Sequence, residues 1–438
     1  MNRSESGWSR RLQSMTALYS LCWLLAANMV GVWLAALLIW PDLGKLVGEF
    51  GYGRWMPMHM DWQLYGWCSL PLVGLLMYYY LDDKFEVDAH LGFLAWSIAL
   101  GLGGILSLNG IVSGKLFLNW SGVGRVAFPV AQVVLWAILV NGWYTRWRRI
   151  GRMDTKSWLQ LGMLALLLAS PLLLFWTAGN KVFPPIDPES GGATGHSLLA
   201  SSLGVIGIFG VFPLLLKLKH RSVARSRQIA YAVAFVISLI IWLLLDHGNA
   251  SNTQIGQILG LGILVLWAPL VALYYRAYRW PTGLQKWLYA FFFWWAFLTL
   301  NGFINFLPGI LDVMKFTNGL VAHAHLAMAG MVSAFNMLIL GTLGHTEDDD
   351  PWCDALAFWL WQGGVFLYVV AMTLQGVREG LDPTVLFGEN AGTTFFYSLR
   401  LVAGCIMIAA NLRWMGLLDH LRRSAMARTH WGRGVVYE

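Results

Sequence analysis

The stretch NGLVAHAHLAMAGMVSAFNMLILGTL, from Asn318 to Leu343, decides what kind of fold this chain adopts. It contains no Asp, Glu, Lys or Arg, and it is longer than the roughly 20 apolar residues that cross a bilayer as an α-helix. Two histidines, His323 and His325, lie inside the apolar run. The stretch therefore predicts a transmembrane helix that carries two ionisable side chains.

The same pattern extends over the whole chain. Of its 438 residues, 57% are hydrophobic and 12% are charged, with a mean hydropathy of +0.57, whereas about a quarter of the residues in a soluble protein are charged. We predict an all-α polytopic membrane protein with twelve transmembrane helices in one integral membrane domain, residues 1–438. The predicted spans are 17–40, 60–82, 91–110, 126–145, 156–178, 196–216, 228–247, 254–275, 284–306, 318–343, 355–376 and 394–415.

The distribution of positive charge predicts the orientation of these spans. If the N-terminus is inside, the inner segments hold twenty-two of the 30 Lys and Arg residues and the outer segments hold eight. Since the inner loops of membrane proteins are enriched in Lys and Arg, we expect both termini in the cytoplasm and the chain in the inner (plasma) membrane of a prokaryote. This distribution explains the net charge of +7, and nucleic acid is therefore excluded as a partner.

Five of the ten histidines fall near the predicted outer face. His59 opens the second span, His196 opens the sixth, His247 closes the seventh, and His323 and His325 lie early in the tenth. Ionisable groups in membrane spans are costly and mark functional sites, and neutral imidazole is the commonest metal ligand. The five together predict a metal or haem site, and local helix capping is the alternative. We interpret the other histidines as surface residues: His90, His220, His345, His420 and His430.

Helical geometry limits how these side chains can share a metal. His323 and His325 diverge by roughly 200° around a helix, so they suit two metals on opposite sides, and haem iron needs only one or two protein ligands. Asp246 and His247 are roughly 100° apart at a helix end and could converge on one metal with His196. Two histidines and a carboxylate suit iron or copper. The chain has no C-x-x-C-H motif, so any haem is held without a covalent bond.

These features together resemble the catalytic subunit of the haem-copper oxidase superfamily. The resemblance lies in the twelve spans, the histidine opening the second span, the segment GHSLLASSLG at 195–204, the histidine closing the seventh span and the H-x-H of VAHAHLAMAG at 321–330. Within the superfamily, the cbb3-type oxidases and the bacterial nitric oxide reductases are the most similar. TNGLVAHAHLAMAGM at 317–331 is similar to the reductase helix that carries both haem ligands, and MPMH at 56–59 resembles an oxidase segment.

The resemblance implies a role for each of the candidate residues. His59 and His325 would be the axial pair of a low-spin haem b, and His323 the proximal ligand of a high-spin haem. His196 and His247 would bind a second, non-haem metal, iron or copper. The family usually has two consecutive histidines at the end of the seventh span, and Asp246 stands in place of one of them. We hypothesise that Asp246 is the third ligand, with a solvent-facing carboxylate as the alternative.

A second departure from the family concerns the reaction. Oxygen reductases use a tyrosine that is covalently tied to a metal-bound histidine, and the two positions where the family places it are Ala200 and Ile240 here. The resemblance therefore favours reduction of nitric oxide, which needs no O–O cleavage. Known reductases, however, have a glutamate at the position of Ala200. The pattern matches neither branch completely, and a divergent nitric oxide reductase fits better than an oxidase.

The remaining expectations concern partners and rival functions. The resemblance implies that electrons arrive at the outer face from a partner subunit of the cytochrome c or cupredoxin type. Arg378, at the outer end of the eleventh span, is a candidate for pairing with haem propionates, with a surface cation as the alternative. The rival functions are reduction of O2 to water at the same site, a proton-coupled transporter with histidine relays, and a haem sensor or assembly subunit.

Overall fold

The computed structural model describes residues 3–48, 50–183, 186–344, 350–386 and 390–431. Over these ranges the chain is helical and has no strand beyond two isolated bridges. The α-helices are α1 Arg3–Ile39, α2 Tyr52–Asp61, α3 Leu70–Tyr80, α4 Glu86–Leu108, α5 Gly124–Ile150, α6 Thr155–Thr177, α7 Gly195–Leu215, α8 Ala224–Leu244, α9 Ile255–Tyr275, α10 Gln285–Phe306, α11 Ile310–Met314, α12 Asn318–His325, α13 Ser333–Leu343, α14 Ala355–Leu381 and α15 Ala391–Trp431.

Eleven helical stretches in the described ranges are long and apolar enough to cross a membrane. They confirm an all-helical, polytopic membrane protein and correspond to eleven of the predicted spans. The remaining predicted span, 60–82, coincides with α2, a π-helical segment at Trp62–Trp67 and α3. The turn at Cys68 and Ser69 divides this stretch into helical segments, each of which is too short to cross a membrane by itself. The total of twelve spans therefore stays a prediction.

Pro71 explains where the second predicted span breaks. Proline has no backbone N–H, so the carbonyl four residues earlier, that of Trp67, loses its usual helical donor. The Asn336 side chain fills this role, because its Nδ2 donates to the Trp67 oxygen at 2.7 Å, and Asn336 is fully buried. The buried amide of Asn336 thus provides the hydrogen bond without which burying the Trp67 carbonyl in an apolar interior would be energetically costly.

The helices group into two compact units. The first consists of residues 1–182, 336–364 and 404–438, and the second of 183–335 and 365–403. The first unit contains α1 to α6 and has a core rich in tryptophan and phenylalanine, in which the Trp120 and Phe128 rings stack at 4.3 Å. The second unit contains α7 to α12. It holds His196, Asp246, His247, His323, His325 and Arg378, whereas His59 belongs to the first unit.

Candidate functional site

His323 is oriented by the helix beside it, α10. Its Nδ1 lies 2.8 Å from the side-chain oxygen Oδ1 of Asn301. A Cβ at Gly302 would lie 3.0 Å from the Cε1 atom of the imidazole, so glycine at this position allows the ring to approach α10 closely. Because an amide oxygen only accepts, Nδ1 carries the proton and the lone pair is on Nε2.

His325 contacts a different helix. Its Nδ1 donates to the carbonyl of Val321 at 2.9 Å, and its ring stacks on that of Tyr368, in α14, at 4.0 Å and 21°. His323 faces α10 and His325 faces α14, as the predicted divergence of the two side chains requires. A π-helical segment, Leu326–Val332, begins directly after His325, and such segments are frequent at functional sites.

His59 lies within α2 rather than at the start of a span, because the helix begins at Tyr52, ahead of the apolar run. Its Nδ1 donates to the carbonyl of Ala27 at 2.8 Å. A Cβ at Gly31 would lie 2.7 Å from the ring, so α1 presents a bare backbone to this imidazole. The π-helical segment Trp62–Trp67 follows soon after. Since His59 and His325 belong to different units, their role as an axial pair stays a prediction.

The three predicted haem ligands therefore share one feature. In each, Nδ1–H donates to an oxygen, which fixes the tautomer with its lone pair on Nε2. Histidines that ligate metals almost always donate their other ring N–H to such an acceptor, which sets the ring orientation and makes the ligating nitrogen more basic. The donor set fits haem ligation at all three positions.

A buried polar cluster holds the start of α12, the helix that carries His323 and His325. The Glu379 carboxylate, 4% exposed, accepts from the backbone N–H of Asn318 at 2.7 Å and from its Nδ2 at 2.6 Å. Gln375 donates to the same carboxylate at 3.0 Å. An anion at a helix N-terminus is favourable, so Glu379 fixes the position of α12 in the second unit.

The structure places two arginines differently with respect to this cluster. Arg378, the predicted propionate partner, donates to Gln375 and Asn390 and lies over the Phe396 ring at 5.4 Å. Arg400 is 6% exposed and lies over the Tyr368 ring, which stacks on His325. Arg400 is therefore a buried cation that is separated from the His325 ring by one aromatic side chain, Tyr368. The propionate role of Arg378 stays a prediction.

His196 and His247 are brought together in the second unit. Their ring centroids lie 3.9 Å apart. His196 opens α7 as predicted, is buried, and has no hydrogen-bond partner within the described ranges for either ring nitrogen. An imidazole with two unpaired nitrogens is costly to bury, and a bound metal would offset that cost. The pair fits the predicted metal ligands.

Asp246 and His247 lie beyond the end of α8 rather than within it. The helix ends at Leu244 because Leu245 is extended, with φ −72° and ψ 152°. The carboxylate of Asp246 accepts from the backbone N–H of Gly248 at 2.9 Å through Oδ1. Among the residues that the structure describes, no set of three His, Cys, Asp or Glu side chains is arranged to hold a metal ion. The third-ligand role of Asp246 stays a prediction.

Gln257, which the sequence did not single out, joins the two halves of this site. It is almost fully buried, its Oε1 accepts from the backbone N–H of His196 at 2.9 Å, and its Nε2 donates to the Asp246 carbonyl at 3.3 Å. One amide in α9 thus spaces His196 from the Asp246–His247 loop.

Asp187 fixes the loops at the same end of the second unit. Burial would raise the pKa of Asp187, but hydrogen bonds from Ser190 and from the backbone N–H groups of Glu189 and Asn252 outweigh it and hold the pKa below its usual value. The ionised carboxylate therefore ties the loop that precedes α7 to the loop that precedes α9.

Charge within an apolar span was the signal that could have revealed the missed residues. Asp61, two residues after His59, lies in the predicted span 60–82 and Arg400 lies in the predicted span 394–415, whereas Glu379 lies three residues beyond the predicted span 355–376. Asp61 is 6% exposed, and its Oδ1 has no hydrogen-bond partner in the described part of the chain. Buried ionisable groups in membrane spans are functional candidates, and applying that rule beyond histidine would have identified Asp61 and Arg400.

Fold and side chains together define a class: a polytopic helical membrane protein whose second unit gathers imidazoles, a buried carboxylate and a buried guanidinium. No family model matches this chain, and no curated protein matches it. The likeness to the haem-copper oxidase superfamily therefore rests on the motifs quoted above.

Proposed function

We propose that this protein is a respiratory terminal reductase that converts nitric oxide to nitrous oxide at a centre of haem b and a non-haem metal, iron or copper. The observation that supports the proposal best is the shared geometry of His59, His323 and His325. Each imidazole has its Nδ1 proton bound to an oxygen, which leaves Nε2 as the ligating atom.

The chain's own residues perform three tasks in this proposal. His59 and His325 hold one haem and His323 holds a second, while His196, Asp246 and His247 hold the other metal. When bound, these groups supply two electrons that, with two protons, convert two nitric oxide molecules into one nitrous oxide and one water. Gln257 spaces the metal ligands, and Glu379 fixes the start of α12, the helix on which His323 and His325 face opposite sides. Electrons come from a cytochrome c or cupredoxin-type partner.

A second candidate function, reduction of O2 to water, is favoured by Trp242. Its ring stacks on His196 at 5.0 Å and 17° and lies 5.4 Å from His247. Its Nε1 is buried without a hydrogen-bond partner in the ranges that the structure describes. An indole can release one electron and its N–H proton, which is the contribution that tyrosine makes in oxygen reductases. Trp242 thus provides an oxidisable ring where the expected tyrosine is missing.

Gas turnover by the purified protein with an artificial electron donor tests both functions. We expect b-type haem bands and consumption of nitric oxide with formation of nitrous oxide. The Trp242→Phe variant keeps an aromatic ring beside His196 but loses the oxidisable indole. Because the packing contact is retained, its nitric oxide turnover is expected to stay within about twofold of the wild type, a change of ~0.4 kcal/mol.

The two candidates differ in how the Trp242→Phe variant responds. If O2 is the physiological substrate, the wild-type protein consumes O2 faster than nitric oxide and the variant loses most of that O2 activity. A colourless protein without haem bands would reject both functions and favour a proton-coupled transporter.

We also propose that both termini face the cytoplasm of a prokaryotic cell. The excess of Lys and Arg in the inner segments supports this orientation. A reporter active only in the cytoplasm, fused after Glu438, is expected to be active, and the same reporter inserted after Gly192, in the loop before α7, is expected to be inactive. The opposite result would invert the topology and place the histidines at the inner face.

A further inference from the structure

A cavity of about 280 Å³ lies in the second unit, between the loop that joins α7 to α8 and the loop that joins α9 to α10. It lies at the opposite ends of these helices from His196 and Asp246. Three arginines and four aromatic residues dominate its lining: Arg221, Arg227, Arg276, Tyr278, Trp280, Tyr289 and Phe292. We refer to it as the arginine cavity.

None of the residues that line the arginine cavity is an Asp or a Glu. The segments 217–227 and 276–286 contain no Asp or Glu. No ion pair within the described ranges involves Arg221, Arg227 or Arg276. Arg227 donates to the Leu273 carbonyl at 2.9 Å, and Arg276 lies over the Phe292 ring at 6.0 Å. Three guanidinium groups that share one cavity repel one another, so an anionic ligand would stabilise the arrangement.

The surroundings of the arginine cavity are those of a membrane interface. It lies where transmembrane helices end, and the buried Trp280 and the 58% exposed Tyr289 have the amphipathic rings typical of the headgroup region. Large apolar side chains of the adjoining helices are exposed beside it, among them Val233, Leu273 and Phe293. These surfaces suit acyl chains.

We propose that the arginine cavity binds the phosphate group of an anionic phospholipid. Guanidinium groups donate two parallel hydrogen bonds to phosphate oxygens. The volume is below the roughly 300–1,000 Å³ of drug-sized pockets, so the cavity takes a headgroup while the acyl chains run along α8 and α10 outside it. A zwitterionic lipid is disfavoured, because its choline cation meets the positive charge of the three arginines. In the expected orientation the arginine cavity faces the inner leaflet, and basic pockets on that side of a membrane bind anionic lipid headgroups.

Titration of the purified full-length chain in detergent with short-chain lipids tests this proposal, with native mass spectrometry as the readout. We expect phosphatidylglycerol to bind about tenfold or more tightly than phosphatidylcholine. The Arg221→Gln/Arg276→Gln variant is expected to lose that preference. Arg148→Gln/Arg152→Gln, which removes the same charge from exposed positions in the first unit, is the matched control and is expected to retain it.

Two further arms keep the test decisive. Arg221→Lys/Arg276→Lys keeps the charge but not the paired donors, so it is expected to prefer phosphatidylglycerol while binding it more weakly. Soluble glycerol phosphate is expected to compete poorly, because it lacks acyl chains. Equal lipid binding by the Gln variant and its control would overturn the proposal, and so would glycerol phosphate binding as tightly as the lipid. None of these results depends on whether haem is present, so they are separable from the reductase proposal.

Discussion

Replacement of His325 by alanine is expected to abolish the low-spin haem absorbance and to reduce the haem content to about half, since one of the two proposed haems would lose an axial ligand. His59→Ala is expected to have the same effect, because the proposal makes these two residues ligands of one iron. The measurement is the dithionite-reduced minus oxidised spectrum of the purified protein, together with its haem-to-protein ratio.

Two controls separate ligand loss from misfolding. His90→Ala removes an exposed imidazole near Tyr19, a histidine with no proposed role in binding a cofactor, and it should leave the spectrum unchanged. In His325→Ala the high-spin haem of His323 should persist, because Glu379 still fixes α12. Low-spin absorbance surviving in either His59→Ala or His325→Ala would show that the axial assignment is wrong.

Much of the fold could be predicted because lipid imposes a simple rule on sequence. A spanning helix must be long and apolar, and eleven of the predicted spans meet that rule in the structure. The helix ends were harder to predict. α2 begins at Tyr52, several residues ahead of the predicted span, because the rule counts apolar residues and Arg54 interrupts the run. A charged residue does not interrupt the backbone hydrogen bonds of a helix, so α2 extends past the apolar run at its N-terminal end.

The candidate site could be predicted only as a set of residue types. The spacing of His323 and His325 implied divergent faces, and their contacts with α10 and α14 agree. The amides that contact the histidines could not be predicted, because neither Asn301, the partner of His323, nor Gln257, the partner of His196, belongs to a periodic pattern that marks it. The end of α8 could not be predicted either. Leu245 is extended because the loop after it is closed by the hydrogen bond from the Gly248 N–H to the Asp246 carboxylate, and hydropathy does not indicate such a turn.

Replacement of Asp246 by asparagine is expected to lower the content of the non-haem metal and the nitric oxide turnover while leaving both haems in place. Asparagine keeps the shape and the hydrogen bond from the Gly248 N–H, but it removes the charge and offers a weaker oxygen donor to a cation. Because Oδ1 alone accepts from Gly248, the second oxygen of the carboxylate remains for a metal, beside the paired rings of His196 and His247. We expect turnover to fall at least about tenfold, which corresponds to ~1.4 kcal/mol of lost stabilisation.

Asp246→His provides the complementary measurement. It supplies the imidazole that the haem-copper family usually has at this position, so metal content is expected to exceed that of Asp246→Asn, and the nitrogen donor is expected to favour copper. The readouts are the metal-to-haem ratio by elemental analysis and the rate of nitrous oxide formation, each compared with Glu189→Gln as a control acid in a nearby loop. Wild-type metal content and activity in Asp246→Asn would exclude the carboxylate as a ligand. The absence of a tyrosine at Ala200 and Ile240 would then remain as the reason to favour nitric oxide over O2.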